Sequence, residues 1–163
     1  MEKTHEQYTA LRYIRAVLEV ISMLGIIALV VVFALTAGSQ DIPGAPNSDG
    51  LVGRYGMRVV LTGIFLLGAL LTGLVFLIAR FPRLQRFPVE INAGNVEIQY
   101  ILLKIMLNAV QIVIINYFAT MMLSVYRFSI ELDSPGFLQT TLVACFACLA
   151  IWVLYYIAAR RNK

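Results

Sequence analysis

The sequence predicts an all-α integral membrane protein: four transmembrane helices in an antiparallel bundle, one membrane domain over all 163 residues. Three observations predict this. The composition is 60% hydrophobic and only 13% charged, with a mean hydropathy of +0.82. A soluble domain averages about 45–50% apolar and about a quarter charged, so these residues cannot furnish a water-solvated surface. Four uncharged windows, Val20–Gln40, Val59–Ala79, Ile105–Tyr126 and Ser134–Ala159, run for 21, 21, 22 and 26 residues. At about 1.5 Å rise per residue, some 20 residues cover a hydrocarbon core of roughly 30 Å. Finally, Lys and Arg gather on one side of the implied membrane. The composition excludes a soluble globular enzyme and a disordered chain, and two cysteines, Cys145 and Cys148, cannot staple a fold.

The first span covers about residues 14–38. Its apolar stretch exceeds the roughly 7–15 residues of a signal-peptide core and three further spans follow, so it reads as a retained anchor. Thr4 and Gln7 have the spacing of a capping box, which would start this helix in the N-terminal tail. An outer connection follows over 39–58, then a second span over 59–79 carrying Gly63, Gly68 and Gly73. Ala69 and Gly73 form a small-x-x-x-small pair, whose ordinary use is close helix packing inside the bundle and whose alternative use is a homo-oligomer face. A second connection occupies 80–100, a third span 101–126 and a fourth 136–159.

Charge sets the expected direction. The N-terminal tail, the second connection with its flanking Lys104, and the C-terminal tail together carry ten Lys and Arg, against three in the first and third connections (Arg54, Arg58 and Arg127). Short loops rich in positive charge stay cytoplasmic, so both termini are expected in the cytoplasm and the protein in the cell membrane. Trp152, Tyr155 and Tyr156 then fall at the cytoplasmic interface, where aromatic side chains collect. Arginines beside anionic lipid also account for the pI of about 9.3, with the lipid bilayer as partner and no nucleic acid.

Two connections carry patterns. The outer one reads D-I-P-G-A-P-N-S-D-G-L-V-G-R-Y-G-M-R, a structured turn by its spaced glycines and prolines. The inner one reads R-F-P-R-L-Q-R-F-P-V-E-I-N-A-G-N-V-E-I-Q-Y, in which Arg-Phe-Pro recurs, as suits a chain lying on a cytoplasmic surface; from Asn95 it turns helical.

The pair resembles a bacterial membrane family catalogued as domain of unknown function 1648, which also forms part of the SdpI toxin-immunity protein. In the outer connection Ile42, Pro43, Asn47, Gly50, Tyr55, Gly56 and Arg58 match its pattern, while its His, aromatic and acidic positions are Ala45, Pro46 and Gly53 here. In the inner connection Phe81, Pro82, Phe87, Pro88, Val89, Ile91, Asn95, Glu97, Gln99 and Tyr100 match at the same spacing. The resemblance covers roughly residues 14–126. It implies a non-catalytic protein of sensor, immunity or accessory type with a peptide, lipid or protein partner. The absent His and acid leave the outer connection without the family's proton or metal handles.

An ionisable group inside a span costs roughly 2.5–3.5 kcal/mol, so each one asks for a reason. Glu19 lies just inside the first span and Lys104 just inside the third, at similar depth. An ion pair between them is expected, with Arg15 as competitor for Glu19 and snorkelling as the alternative for both. On the third helix Glu97, Tyr100, Lys104, Asn108 and Gln111 share one face, and Asn116 and Thr120 begin a rotated polar patch. Such a stripe either bonds to neighbouring helices, the more ordinary use, or lines a hydrated path.

Cys145 and Cys148 form a C-x-x-C with no second cysteine pair and no nearby base, which reads as small apolar residues on a helix face; a membrane thiol oxidoreductase is the alternative. His5 has no ligand partners, and no P-loop, catalytic Ser or His arrangement or dinucleotide loop occurs, so neither metal nor cofactor is expected. The leading expectation is a non-catalytic binding protein; a small proton- or cation-coupled transporter built on Glu19 and the polar stripe is the other.

Overall fold

A computed structural model describes residues 2–38, 56–81, 87–129 and 136–162. They form four helices: α1 (Glu2–Ala37), α2 (Met57–Arg80), α3 (Val96–Ser129) and α4 (Phe137–Arg161). No strand occurs among the described residues, and all four helices are long and apolar enough to cross a membrane.

The ends follow from local chemistry. Asn95 occupies the position before α3 and its carbonyl accepts the first helical bond, from Gln99 N at 3.1 Å. Asn92 and Asn95 lock the turn reciprocally: Asn92 Oδ1 accepts from Gly94 N and Asn95 N, and Asn95 Oδ1 accepts from Asn92 N, at 2.9–3.0 Å. α2 stops at Arg80 because Phe81 precedes Pro82. Proline excludes its predecessor from helical angles, and Phe81 sits at φ −102°, ψ 103°. At the other end of α2, Gly56 takes φ +80°, a left-handed value that a side chain would strain. α1 is already helical at Glu2, so Thr4 lies inside the helix and is not its cap.

The helices are arranged around α3. It packs against the other three; α1 also meets α2, and α4 meets α3 alone. The fraction of each apolar window buried inside the molecule separates them: 44% for α3 against 17%, 17% and 11% for α1, α2 and α4. The arrangement is therefore a hub with three neighbours and not a closed ring of four. Arg12 near the start of α1 pairs with Glu97 at the start of α3, so these two run parallel. Gln99 at the start of α3 bonds the end of α4, so that pair runs antiparallel. Leu29, late in α1, clusters with Met57 and Leu61 at the start of α2, making that pair antiparallel too.

Two apolar clusters hold the hub. At the end carrying Arg12, Arg15, Arg80, Arg160 and Arg161, hereafter the basic end, Leu102, Leu103 and Leu107 of α3 bury Tyr155 and Ala159 of α4. Tyr155 thus faces α3 instead of joining an interfacial belt, whereas Trp152 and Tyr156 stack outward at 5.8 Å with Arg160 over the Tyr156 ring. At the far end Leu29, Met57 and Leu61 meet Ile115, Phe118 and Met122, and Phe33 stacks on Phe65 with centroids 4.3 Å apart.

For helices long and apolar enough to cross a membrane, lipid would offer no hydrophobic drive between them, so close backbone approach matters most. A methyl group added to Gly68 would stand 2.8 Å from Phe118 Cγ, and one at Gly25 would stand 3.3 Å from Ile115 Cδ1. The expected pair Ala69 and Gly73 does not serve this packing: Ala69 is exposed, and a Cβ at Gly73 would meet nothing within 4 Å. Gly68→Ala is expected to cost about 1–3 kcal/mol by overpacking, while Gly73→Ala, gaining helix propensity, changes stability by about 1 kcal/mol or less in the favourable direction. Thermal unfolding of both variants in one detergent checks the contrast.

Candidate functional site: a polar cleft at the basic end

The α1–α3 pair builds the cleft. On α3 the stripe Glu97, Tyr100, Lys104, Asn108 and Gln111 presents one face, as its spacing requires. On α1 the residues Arg12, Arg15, Glu19, Ser22 and Ile26 recur at offsets 0, 3, 7, 10 and 14, and they too form one face. The Arg12–Glu97 pair sets the register between these parallel helices at 85 positions, which brings Glu19 level with Lys104. Arg12 and Arg15 count toward the basic N-terminal tail in the sequence, with Arg15 also the competitor for Glu19, and the second polar face is the part of the cleft that was not expected, although its helical spacing is legible.

Two cavities follow from the two faces. The outer one, ≈ 510 Å³, lies between Arg12, Arg15 and Glu19 of α1 and Glu97, Tyr100 and Lys104 of α3. The inner one, ≈ 220 Å³, continues past Glu19 and Lys104 to Ser22, Asn108 and Gln111, with Phe76 and Arg80 of α2 as its third wall. Glu19 and Lys104 line both. One turn beyond Gln111, Ile115 lies against Gly25 within the far-end cluster, and the polar lining stops there.

The expected Glu19–Lys104 ion pair is not made. Glu19 turns back along its own helix to Arg15, with Nη2 to Oε2 at 3.8 Å, a choice favoured because the i, i+4 spacing places the two on one face before any tertiary contact forms. Both side chains are partly exposed, 35% and 48%, so the pair contributes at most a few tenths of a kcal/mol. Of the four cations lining the cleft, Arg12 and Arg15 have carboxylate partners and Lys104 and Arg80 have none among the described residues.

Neutral polar groups in the inner cavity are also unengaged. Ser22 is 3% exposed and its Oγ is buried without a hydrogen bond. Gln111 is 4% exposed, and neither it nor Asn108 bonds another helix among the described residues. Glu97 thus ties α3 to α1, while Lys104, Asn108 and Gln111 line the inner cavity without bonding another helix among the described residues. Asn116, by contrast, is satisfied on its own helix, its Nδ2 donating to Ile112 O at 2.9 Å, and stands apart from the cleft.

The inner-connection residues form the cleft's support. Gln99 is fully buried and its Nε2 donates to Ala159 O and Asn162 O, both at 3.0 Å, so it caps two carbonyls at the end of α4 that the helix itself leaves open. Phe87 packs edge-on against Tyr100 with centroids 5.1 Å apart, Val89 is buried, and Pro88, Ile91 and Phe81 are exposed. Pro82 and, in the outer connection, Ile42, Pro43, Asn47, Gly50 and Tyr55 lie outside the described residues; Gly56 and Arg58 stand at the far end of α2.

Cys145 and Cys148 are free thiols on an apolar groove of ≈ 280 Å³ between α2, α3 and α4, where the Tyr117 and Thr141 hydroxyls share a hydrogen bond at 3.2 Å. No group of three or more His, Cys, Asp and Glu is placed to hold a metal among the described residues.

Replacing Gln99 by Leu leaves the Ala159 and Asn162 carbonyls without their donor. The expected cost is about 1–3 kcal/mol, since one lost bond is buried and the other partly buried. Faster hydrogen exchange confined to the last turn of α4, together with a lower unfolding temperature in detergent, checks it. In comparisons with protein-family models, with curated proteins and with solved structures, nothing matches this chain.

Proposed function

We propose that this chain is a non-catalytic, multi-pass protein of the cell membrane with both termini in the cytoplasm. In this reading it acts as a sensor, immunity or accessory protein that binds the polar part of a ligand or peptide in the cleft between α1 and α3. The observation that carries it is the continuity of the two cavities through Glu19 and Lys104, with a polar lining that begins at the basic end and ends at Gln111. A membrane protein spends several kcal/mol to place such groups among apolar helices, and they mark where a polar guest is received. Cytoplasmic orientation is supported by the ten Lys and Arg assigned to that side. The resemblance of the inner connection to the SdpI-related family supports a receptor role over catalysis.

A proton- or cation-coupled transporter needs the polar path to continue toward the other face. Past Gln111 the described residues supply the apolar cluster Leu29, Ile115, Phe118 and Met122, with the hydroxyls of Thr72 and Thr36 as the buried polar groups and no ionisable one, and Glu19 is engaged by Arg15. Binding is therefore the better-supported reading.

Single cysteines at Asn108 and Gln111, in a chain with Cys145→Ala and Cys148→Ala, test it. A small charged thiosulfonate reagent is expected to label both positions in inside-out vesicles and neither in right-side-out vesicles, with lipid-facing Leu66→Cys unlabelled in both. Protection of Asn108→Cys and Gln111→Cys from both sides would refute an open cleft. Labelling of Gln111→Cys from both faces would replace the binding reading with transport.

A further inference from the structure

Features that remain unexplained include the uncompensated cations of the cleft, the apolar groove beside Cys145, the unpacked Ala69–Gly73 face of α2, and the buried, unpartnered Tyr155 and Thr72 hydroxyls. The first has the chemistry of a ligand site. Lys104 and Arg80 come from different helices, line the same inner cavity and have no carboxylate among the described residues. Beside them are the buried, unbonded Ser22 hydroxyl and the side chains of Asn108 and Gln111. The one carboxylate of this lining, Glu19, turns to Arg15, and the two cations and three neutral groups able to donate match an anion with several acceptor oxygens. A guanidinium in particular binds phosphate through two parallel hydrogen bonds.

Depth narrows the source. Arg80 ends the uncharged window of the second span and Lys104 immediately precedes that of the third. Both cations therefore stand at the hydrocarbon boundary, the level of lipid phosphates, while Asn108 and Gln111 lie one and two turns deeper. The remaining walls are apolar: Met23 and Ile26 from α1 and Phe76 from α2, each exposed on the isolated chain. α1 and α2 stack at the far end through Phe33 and Phe65, and toward the basic end they frame this cavity from two sides. A headgroup resting on Lys104 and Arg80 would place its acyl chain against those walls.

Building on the binding reading above, we infer that the inner cavity is a site for a phosphate-bearing anion, the headgroup of an anionic phospholipid, held by Lys104 and Arg80 with Ser22, Asn108 and Gln111 donating to its oxygens.

The test uses the full chain, delipidated in a neutral maltoside detergent and titrated with phosphatidylglycerol, phosphatidylcholine or glycerol 3-phosphate, with bound ligand read by native mass spectrometry. Phosphatidylglycerol is expected to bind at one-to-one stoichiometry in preference to phosphatidylcholine. The double variant Lys104→Gln/Arg80→Gln is expected to bind it about tenfold more weakly, the scale of losing charge-assisted bonds to phosphate. Lys104→Arg retains binding, and Arg161→Gln, a cation of the same end but outside the cleft, leaves it unchanged. Asn108→Leu keeps every charge and is expected to weaken binding several-fold, which preserves the test if the double variant does not fold. Displacement of phosphatidylglycerol by glycerol 3-phosphate at equal concentration would assign the same site to a soluble phosphate ester. Equal loss in Arg161→Gln and in the double variant, or wild-type affinity in the double variant and in Asn108→Leu, would overturn the inference. Accessible cysteines at 108 and 111 alongside such a failure would leave the cleft standing and reject only its phosphate chemistry.

Discussion

The structure depends on one constraint: α3 carries Lys104, Asn108 and Gln111 within a segment otherwise apolar enough to cross a membrane. Facing lipid, each would cost on the order of 1–3 kcal/mol or more. Enclosure by other helices removes that exposure, and α3 is accordingly the helix most buried by its neighbours. α1 and α2 cover the polar stripe, and α4 covers the opposite, apolar side through Leu102, Leu103 and Leu107. The hub arrangement follows from one helix with buried polar groups at mid-length packed among three that are mostly exposed.

Register then does the chemical sorting. Because α1 and α3 run parallel and Arg12 meets Glu97, charged and polar positions of the two helices arrive at matching depths: Glu19 with Lys104, Ser22 near Asn108, Ile26 near Gln111. Polarity falls steadily from the basic end inward, from paired charges through a single lysine to amides, and then to the packed contact of Ile115 on Gly25. A cleft graded in this way admits a charged group only to a fixed depth.

Four helices were legible in the sequence because uncharged windows of 21 residues or more admit no other economical reading. The start of α3 at Asn95 was legible as well, since an amide side chain acts on the backbone directly, whereas the second span was bounded by charge at Ala79 and the stop before Pro82 emerges from the structure. Partner choice was not. Glu19 had two cations within reach of plausible geometry, and only the rotamer decides between Arg15 on its own helix and Lys104 across the cleft. Gly68 and Gly73 differ by five residues, about 140° around a helix, so the sequence could not say which of them faced α3. The buried clamp from Gln99 to the end of α4 joins residues 60 and 63 positions apart, a separation no local pattern encodes. Its outcome does explain the specificity of the inner-connection pattern: Asn95, Gln99 and Tyr100 start α3, hold α4 and seat Phe87, so their spacing is dictated by helix geometry.

The asymmetry between the two ends ties support to site. At the far end α1, α2 and α3 converge through Phe33 on Phe65 and Phe118 against Gly68, and the buried Thr36 hydroxyl there bonds the Val32 and Phe33 carbonyls of its own helix. At the basic end the same three helices stand apart by the width of a cavity, and α4 is bound to α3 alone, through Gln99 and the Tyr155 cluster. Anchoring α3 from its rear leaves its polar face unobstructed. If α4 packed between α1 and α2 instead, its apolar surface would fill the cleft, and Lys104 and Ser22 would be buried against hydrocarbon with no partner. The one-sided attachment of α4 is therefore a condition for the cleft, and the buried amide of Gln99, outside the cavity lining, holds it together with the Tyr155 cluster and the Tyr117–Thr141 bond.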